Sequence, residues 1–231
     1  MDPRTRLVNA RVAVKEGRFA EALREYVWFH NNALKYESSL GGVRLSYALS
    51  DWIRLGKVYP NAIVTLERIR DKKVALLLKG PKLFSLFHDV ASINHYLKNE
   101  QSTCALFKEL DRNCPDFARS CASVALEALV KCGDFILATR YFGDPESALL
   151  RYSNQLNSRI YDLEIKSPDD ASSVNVYVRM YCSDVQKQVS ILRGMGKSDD
   201  AEYSQLWAVA LVDQQEVRKE VERMIWSNVD A

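Results

Sequence analysis

The nearest approach to a chemical motif in this chain is the segment Gly194-Met195-Gly196-Lys197-Ser198, which resembles the end of a phosphate-binding loop. Ile191 stands where such a loop requires its first glycine, and the residues before the segment have helical rather than strand character. Asp199 and Asp200 follow it and would repel a phosphate group. The segment is therefore predicted to be a turn between two helices, and nucleotide binding is disfavoured.

The histidines and cysteines are spaced unlike metal ligands. His88 and His95 are separated by two helical turns, whereas pairs of histidines that hold one ion on a helix are usually one turn apart. The chain has five cysteines, and the four between Cys104 and Cys132 show no C-x-x-C spacing. We expect structural histidines, free thiols in a reducing cytosol, no metal and no cofactor. No common catalytic motif is present, so the sequence predicts a protein that is not an enzyme.

The net charge and the hydropathy of the chain limit the classes of partner that it could bind. The 32 basic and 30 acidic side chains give a net charge of +2, which favours neither nucleic acid nor an anionic membrane. The longest apolar run, residues 207–212, is too short to span a bilayer, and the first residues do not form a signal peptide. The sequence therefore predicts a cytoplasmic protein without a membrane partner.

A local basic stretch is the one exception to this even distribution of charge. It is interrupted by Glu67 and Asp71 and has no interleaved aromatic residues, so a solvated outer face is the favoured interpretation and RNA binding a weaker alternative. Its members are Arg68, Arg70, Lys72, Lys73, Lys79 and Lys82.

Five breaks, each followed by a restart, organise the chain into helices. At each one a helical run stops at a turn-forming residue and a small residue soon opens the next run. The breaks are placed at Gly17, Gly56, Asn99, Gly133 and Gly196. Nine glycines and six prolines are too few for a sheet-rich fold. The pattern predicts an all-α stack of antiparallel helix pairs.

Further boundaries follow from local signals. The first helix is predicted to begin at Pro3 and the second near Phe19, with a loop over residues 38–42. Gly80-Pro81, Cys114-Pro115 and residues 143–145 are the next predicted breaks. Ser167 is expected to cap a helix that reaches Gly194, and one helix of nearly thirty residues is expected from Ser198 onward.

Several of these residues resemble a known repeat. Ala10, Gly17, Phe19, Ala22 and Tyr26 are similar to the pattern of the tetratricopeptide repeat (TPR), and the glycine-to-alanine step recurs after Gly133 and Gly196. The resemblance implies a right-handed superhelical stack, a TPR-like α-solenoid. On this interpretation residues 1–142 form the repeats and residues 143–231 a longer C-terminal helical cap of the same continuous domain.

The resemblance also implies a function, that of a non-enzymatic scaffold for protein–protein interaction. Proteins of this family bind a peptide or a partner helix in a concave groove lined by the first helix of each pair. The implied partner-binding residues are Arg11, Lys15, Ser50, Arg54, Asp89, Glu127 and Lys131. The three cations Arg11, Lys15 and Arg54 would bind an acidic ligand or the terminal carboxylate of a partner protein.

The sequence leaves two alternative functions open, and it also predicts how the protein assembles. The first alternative is a helical enzyme or regulator with a small-molecule pocket between the repeats and the C-terminal helices, and the second is RNA binding. A homodimer through residues 198–231 is expected, because Trp207, Ala210 and Leu211 widen an apolar seam beyond what one neighbouring helix covers. That seam consists of Leu206, Val209, Val217, Val221 and Met224.

Overall fold

Helices make up all the regular structure in a computed structural model of the protein, which describes residues 2–166 and 170–227. The α-helices are α1 (Pro3–Lys15), α2 (Phe19–Tyr36), α3 (Gly41–Leu45), α4 (Tyr47–Val58), α5 (Asn61–Lys79), α6 (Phe84–Tyr96), α7 (Glu100–Asn113), α8 (Pro115–Lys131), α9 (Phe135–Phe142), α10 (Pro145–Lys166), α11 (Ala171–Gly194), α12 (Ser198–Ala210) and α13 (Gln215–Trp226). Across these residues, none of the helices combines the length and the apolar character needed to cross a membrane.

The helices pack mainly against their neighbours in sequence, which confirms the prediction of an all-α protein built from successive helix pairs. Two compact units result, one ending at Ala128 and the other beginning at Leu129, so that α8 runs across the division. The assignment of residues 143–231 to a C-terminal cap of one continuous domain stays a prediction.

In the first unit the leading helices of consecutive pairs contact one another. α4 touches both α1 and α6, while the second helices α2 and α5 each pack against their own partner and the next leading helix. Ala10 and Ala22 are fully buried, so α1 and α2 approach closely. Tyr26 stacks on Trp52 at 6.0 Å between ring centroids, and the Trp52 indole donates to the Ala62 carbonyl at 2.9 Å. These contacts hold α2, α4 and α5 around one apolar core.

In the second unit α11 is central, since α9, α10, α12 and α13 all contact it. Its apolar residues Val178, Val185 and Val189 are buried in a core that also takes Val217 and Val221 from α13. Tyr181 donates its hydroxyl to the Ala208 carbonyl at 2.7 Å and so fastens α12 to α11. With 24 residues, α11 is long enough to contact all four of these helices.

Four of the five predicted turns are present, and they share one geometry. In each, an amide bonds back to the carbonyl five residues earlier, which satisfies a carbonyl that the helix end leaves free. The bonds are Arg18 N to Ala13 O, Asn99 N to Asn94 O, Asp134 N to Leu129 O and Lys197 N to Leu192 O, at 2.8–2.9 Å. The residue before each donor has a positive φ of 59–74°, which only glycine adopts without strain, yet one of the four is Lys98.

The predicted break at Gly56 is wrong, because α4 continues through that residue to Val58. The chain turns instead at Tyr59-Pro60, where the residue before a proline is driven out of the helical region and Tyr59 has φ −137° and ψ 87°. The predicted loop over residues 38–42 is also wrong. It forms a short 3-10 helix, Ser38–Leu40, followed by α3.

The predicted single helix from Ser198 onward is wrong as well, since it divides into α12 and α13. The side chain of Asn157 on α10 stabilises the break between α12 and α13. Its amide donates to the Leu211 carbonyl at 3.0 Å and accepts from the Asp213 amide at 3.2 Å. The expected cap at Ser167 lies outside the described residues, whereas α11 ends at Gly194 as predicted, with Asp170 accepting from the Ser173 amide at its start.

Candidate functional site

Arg11 of α1 and Arg54 of α4, two of the predicted partner-binding residues, meet around Asp51 of α4. Arg11 Nε donates to Asp51 Oδ2 at 2.7 Å, and Arg54 Nη2 binds Asp51 Oδ1. The Asp51 side chain is 5% exposed, whereas those of Arg11 and Arg54 are 47% and 70% exposed. The carboxylate is thus an internal anchor that holds two guanidinium groups at the surface.

The packing of α1 against α4 explains the positions of Arg11 and Asp51. Leu7 and Ala10 are buried on α1, and Arg11 follows them at the margin of the buried face, where α4 packs. Asp51 lies in the buried stripe of α4, between Ala48 and Leu55. An ionised side chain in such a stripe requires a partner of opposite charge. The sequence analysis missed Asp51, although an acid within this apolar stripe was a usable signal.

Two further cations lie near Arg11 and Arg54. Lys15 lies one turn beyond Arg11 on α1 and Lys57 lies near the end of α4; both are exposed, and neither forms an ion pair with a described residue. Ser50 is half-buried beside Asp51. We call Arg11, Lys15, Arg54 and Lys57, with Asp51 between them, the α1–α4 face. Its four cations outnumber its one carboxylate.

Apolar side chains border the α1–α4 face. Val8 lies one turn before Arg11, Tyr47 lies one turn before Ser50, and both are exposed. A surface that combines cations with exposed valine and tyrosine offers charge and apolar area to the same ligand.

Asp89, another predicted partner-binding residue, is buried, with 4% of its surface exposed. Arg44 of α3 donates hydrogen bonds to both carboxylate oxygens of Asp89, with Nη1 at 3.0 Å from Oδ2. Lys73 of α5 donates to Oδ2 at 2.6 Å. Burial on its own would raise the pKa of Asp89, but the hydrogen bonds and charges of Arg44 and Lys73 outweigh it and hold that pKa below its usual range. Asp89 therefore ties three helices together.

His30 of α2 lies against this cluster. Its Nε2 is 3.9 Å from Asp89 Oδ2 and 3.5 Å from Arg44 Nη1, and its ring meets Trp52 edge to face. Burial, with a smaller effect from the Arg44 charge, lowers the pKa of His30 to about 3. The imidazole is therefore neutral at physiological pH, as burial among cations requires.

Glu127 and Lys131, the last two predicted partner-binding residues, lie one turn apart on α8 with exposed side chains. His95 of α6 places Nδ1 at 3.5 Å from Glu127 and 3.7 Å from Glu100. The contact links α6 to α8 as the Arg11–Asp51 contact links α1 to α4. Within the described part of the chain, no group of three histidine, cysteine or acidic residues has a metal-binding arrangement.

The basic stretch after residue 67 does not act as one surface. Arg70 donates to Asp71 at 2.8 Å, Lys73 binds Asp89, and the Lys82 ammonium donates to the Leu77 carbonyl at 2.7 Å. Only Arg68, Lys72 and Lys79 remain exposed and without an ion pair to any described residue.

No family model matches the sequence, and comparison with curated proteins and with solved structures gives no significant match.

Proposed function

We propose that this protein is a non-enzymatic scaffold that binds a peptide or helix of a partner protein on the groove side of α1, α4 and α6. The packing of these leading helices on one another, with α2 and α5 behind them, supports a TPR-like arrangement with a concave face. The superhelix itself is part of the proposal. The observation that carries the proposal is the Arg11–Asp51–Arg54 cluster, in which the buried Asp51 holds two arginines at the surface.

The bound segment is acidic on this proposal. Asp51 occupies Nε of Arg11 and Nη2 of Arg54, and the remaining guanidinium nitrogens point to no described acceptor. Their orientation is fixed before a ligand arrives, which lowers the entropy lost when a carboxylate of the partner binds. Lys15 and Lys57 add charge on both sides, and Val8 and Tyr47 add apolar contact.

Exposed ion pairs are weak individually, at about 0.2–1 kcal/mol each. Three of them acting together would contribute about 0.6–3 kcal/mol, and a value of about 1.4 kcal/mol within this range corresponds to a tenfold change in affinity. We therefore expect binding that weakens steadily as salt is added.

The test variant is Arg11→Gln/Lys15→Gln/Asp51→Asn/Arg54→Gln. Asp51→Asn is included because the buried carboxylate would otherwise lose both of its cationic partners and destabilise the fold. Urea unfolding checks that the variant is folded. The matched control is Arg24→Gln/Lys35→Gln/Arg112→Gln, which removes three exposed cations from α2 and α7.

Affinity capture with quantitative mass spectrometry compares the two variants with the wild type. A partner protein that is captured by the wild type and the control, and is reduced about tenfold or more with the test variant, supports the proposal. Equal capture by all three forms would contradict it.

A further inference from the structure

The outer face of α5 carries exposed cations that no described residue neutralises. Arg68, Lys72 and Lys79 recur at helical spacing, and the exposed Val64 and Leu76 lie among them. Asp71, at the margin of this face, is paired with Arg70. A hollow of about 520 Å³, lined by Lys72, Ala75, Leu76, Lys79 and Gly80, opens at its C-terminal end and leaves room for a large side chain.

The outer face of α12 has the opposite charge. Asp199, Tyr203, Leu206 and Ala210 follow one another at steps of four, three and four residues, the spacing of a helix seam, and Glu202 flanks them. Tyr203 and Leu206 are each 56% exposed. No described residue forms an ion pair with Asp199 or Glu202. An apolar seam with a polar margin marks a protein contact surface.

We propose that the outer face of α5 in one copy of this chain binds the outer face of α12 in a second copy. No described residue forms an ion pair with the cations of the α5 face or with Asp199 and Glu202 of the α12 face, and the charges of the two faces are complementary. An antiparallel contact places the acidic start of α12 beside the lysines near the end of α5, so that Asp199 and Glu202 meet Lys79. Tyr203 then reaches the hollow beside Leu76, and Leu206 covers the stem of Lys72.

The same faces disfavour the symmetric contact of α12 with α12 that the sequence analysis expected. A twofold contact would bring together two helices whose charged residues, Asp199, Asp200 and Glu202, are all acidic, and like charges across an interface are unfavourable. Pairing α5 with α12 avoids this repulsion. Because every copy carries both faces, the association is head to tail and extends beyond one pair unless it closes on itself.

Charge exchange between the two faces tests the proposal. One variant is Lys72→Glu/Lys79→Glu and the other is Asp199→Lys/Glu202→Lys, with the full-length protein studied by light scattering at about 50 mM and about 1 M salt. The wild type is expected to exceed the monomer mass of 26.4 kDa at low salt and to return to it at high salt. Each variant alone is expected to be monomeric, because its two faces then carry the same charge.

An equimolar mixture of the two variants is expected to associate again, because the acidic α12 of the first faces the basic α5 of the second. Urea unfolding checks that both variants are folded, and Tyr203→Ser, which changes no charge, provides a further variant that should be monomeric. Three results would overturn the proposal: a monomeric wild type, even one that gains mass when RNA or anionic vesicles are added; association of Lys72→Glu/Lys79→Glu alone, which indicates contact of α12 with α12; or a mixture that stays monomeric.

Discussion

Asp89 is a buried charge of the first unit and lies between Arg44 and Lys73. Removing one partner of a buried ion pair leaves an uncompensated charge and typically costs about 3–5 kcal/mol. We expect Asp89→Asn to lower the free energy of unfolding by a large part of that amount in urea titrations.

The matched control is Asp184→Asn on α11. Asp184 pairs with Lys187 at 2.6 Å at a partly exposed site, where such pairs contribute less than about 1 kcal/mol. If both substitutions changed the free energy of unfolding equally, the Asp89 cluster would have no special role in stability.

His30 predicts a dependence of stability on pH. Its pKa is about 3 in the folded protein and about 6.5 when unfolded, so between these values the unfolded protein takes up a proton that the folded protein does not. Stability contributed by neutral His30 is therefore present above pH 6.5 and is lost as the pH falls toward 3. The slope is at most about 1.4 kcal/mol per pH unit.

His30→Gln should remove this contribution. Chemical denaturation at several values between about pH 4.5 and pH 6.5 would show a shallower rise of the unfolding free energy with pH for the variant than for the wild type. Parallel curves would mean that His30 takes up a proton equally in both states.

At the level of the elements, two glycines test the packing of helix pairs. A Cβ at Gly194 of α11 would collide with the Phe135 ring of α9, and a Cβ at Gly56 of α4 would collide with Cδ1 and Cγ1 of the Ile63 side chain on α5. We expect Gly194→Ala to destabilise by about 1–3 kcal/mol through overpacking. Gly56→Ala should destabilise less, because the strain from displacing Ile63 is partly offset by the preference of a helix interior for alanine over glycine, about 0.5–1 kcal/mol.

Thermal unfolding of the two variants measures this difference. A Tm for Gly194→Ala equal to that of the wild type would show that α9 is not held against the end of α11 as described.

Helix boundaries could be predicted from the sequence where a local residue determines them. The turns at Gly17, Gly133 and Gly196 depend on a glycine with positive φ, which the sequence displays directly. The end of α4 depends on Pro60, which excludes the helical conformation at Tyr59, and not on Gly56, which the helix accommodates. The division between α12 and α13 has no glycine or proline, since the side chain of Asn157, from a distant helix, provides the hydrogen bonds. Such a contact is visible only in the folded protein.

At the scale of the whole molecule, the candidate site was predictable in part. Helical spacing correctly put Arg11 and Arg54 at the surface of neighbouring helices, because both α1 and α4 follow the expected periodicity. The same register placed Asp89 in the groove, yet α6 turns that residue inward, toward Arg44 and Lys73. Tertiary ion pairs therefore decided its position. The absence of catalysis and the cytoplasmic location stay predictions.

The central claim is that the α1–α4 face binds an acidic segment of a partner protein. Its most direct test is selection from a random peptide display library on the immobilised full-length protein, followed by measurement of Kd for the selected peptides. We expect peptides rich in Asp and Glu, whose Kd rises about tenfold or more for Arg11→Gln/Lys15→Gln/Asp51→Asn/Arg54→Gln and is unchanged for the α2 and α7 control. Selected peptides without acidic residues, or an unchanged Kd for the test variant, would contradict the account.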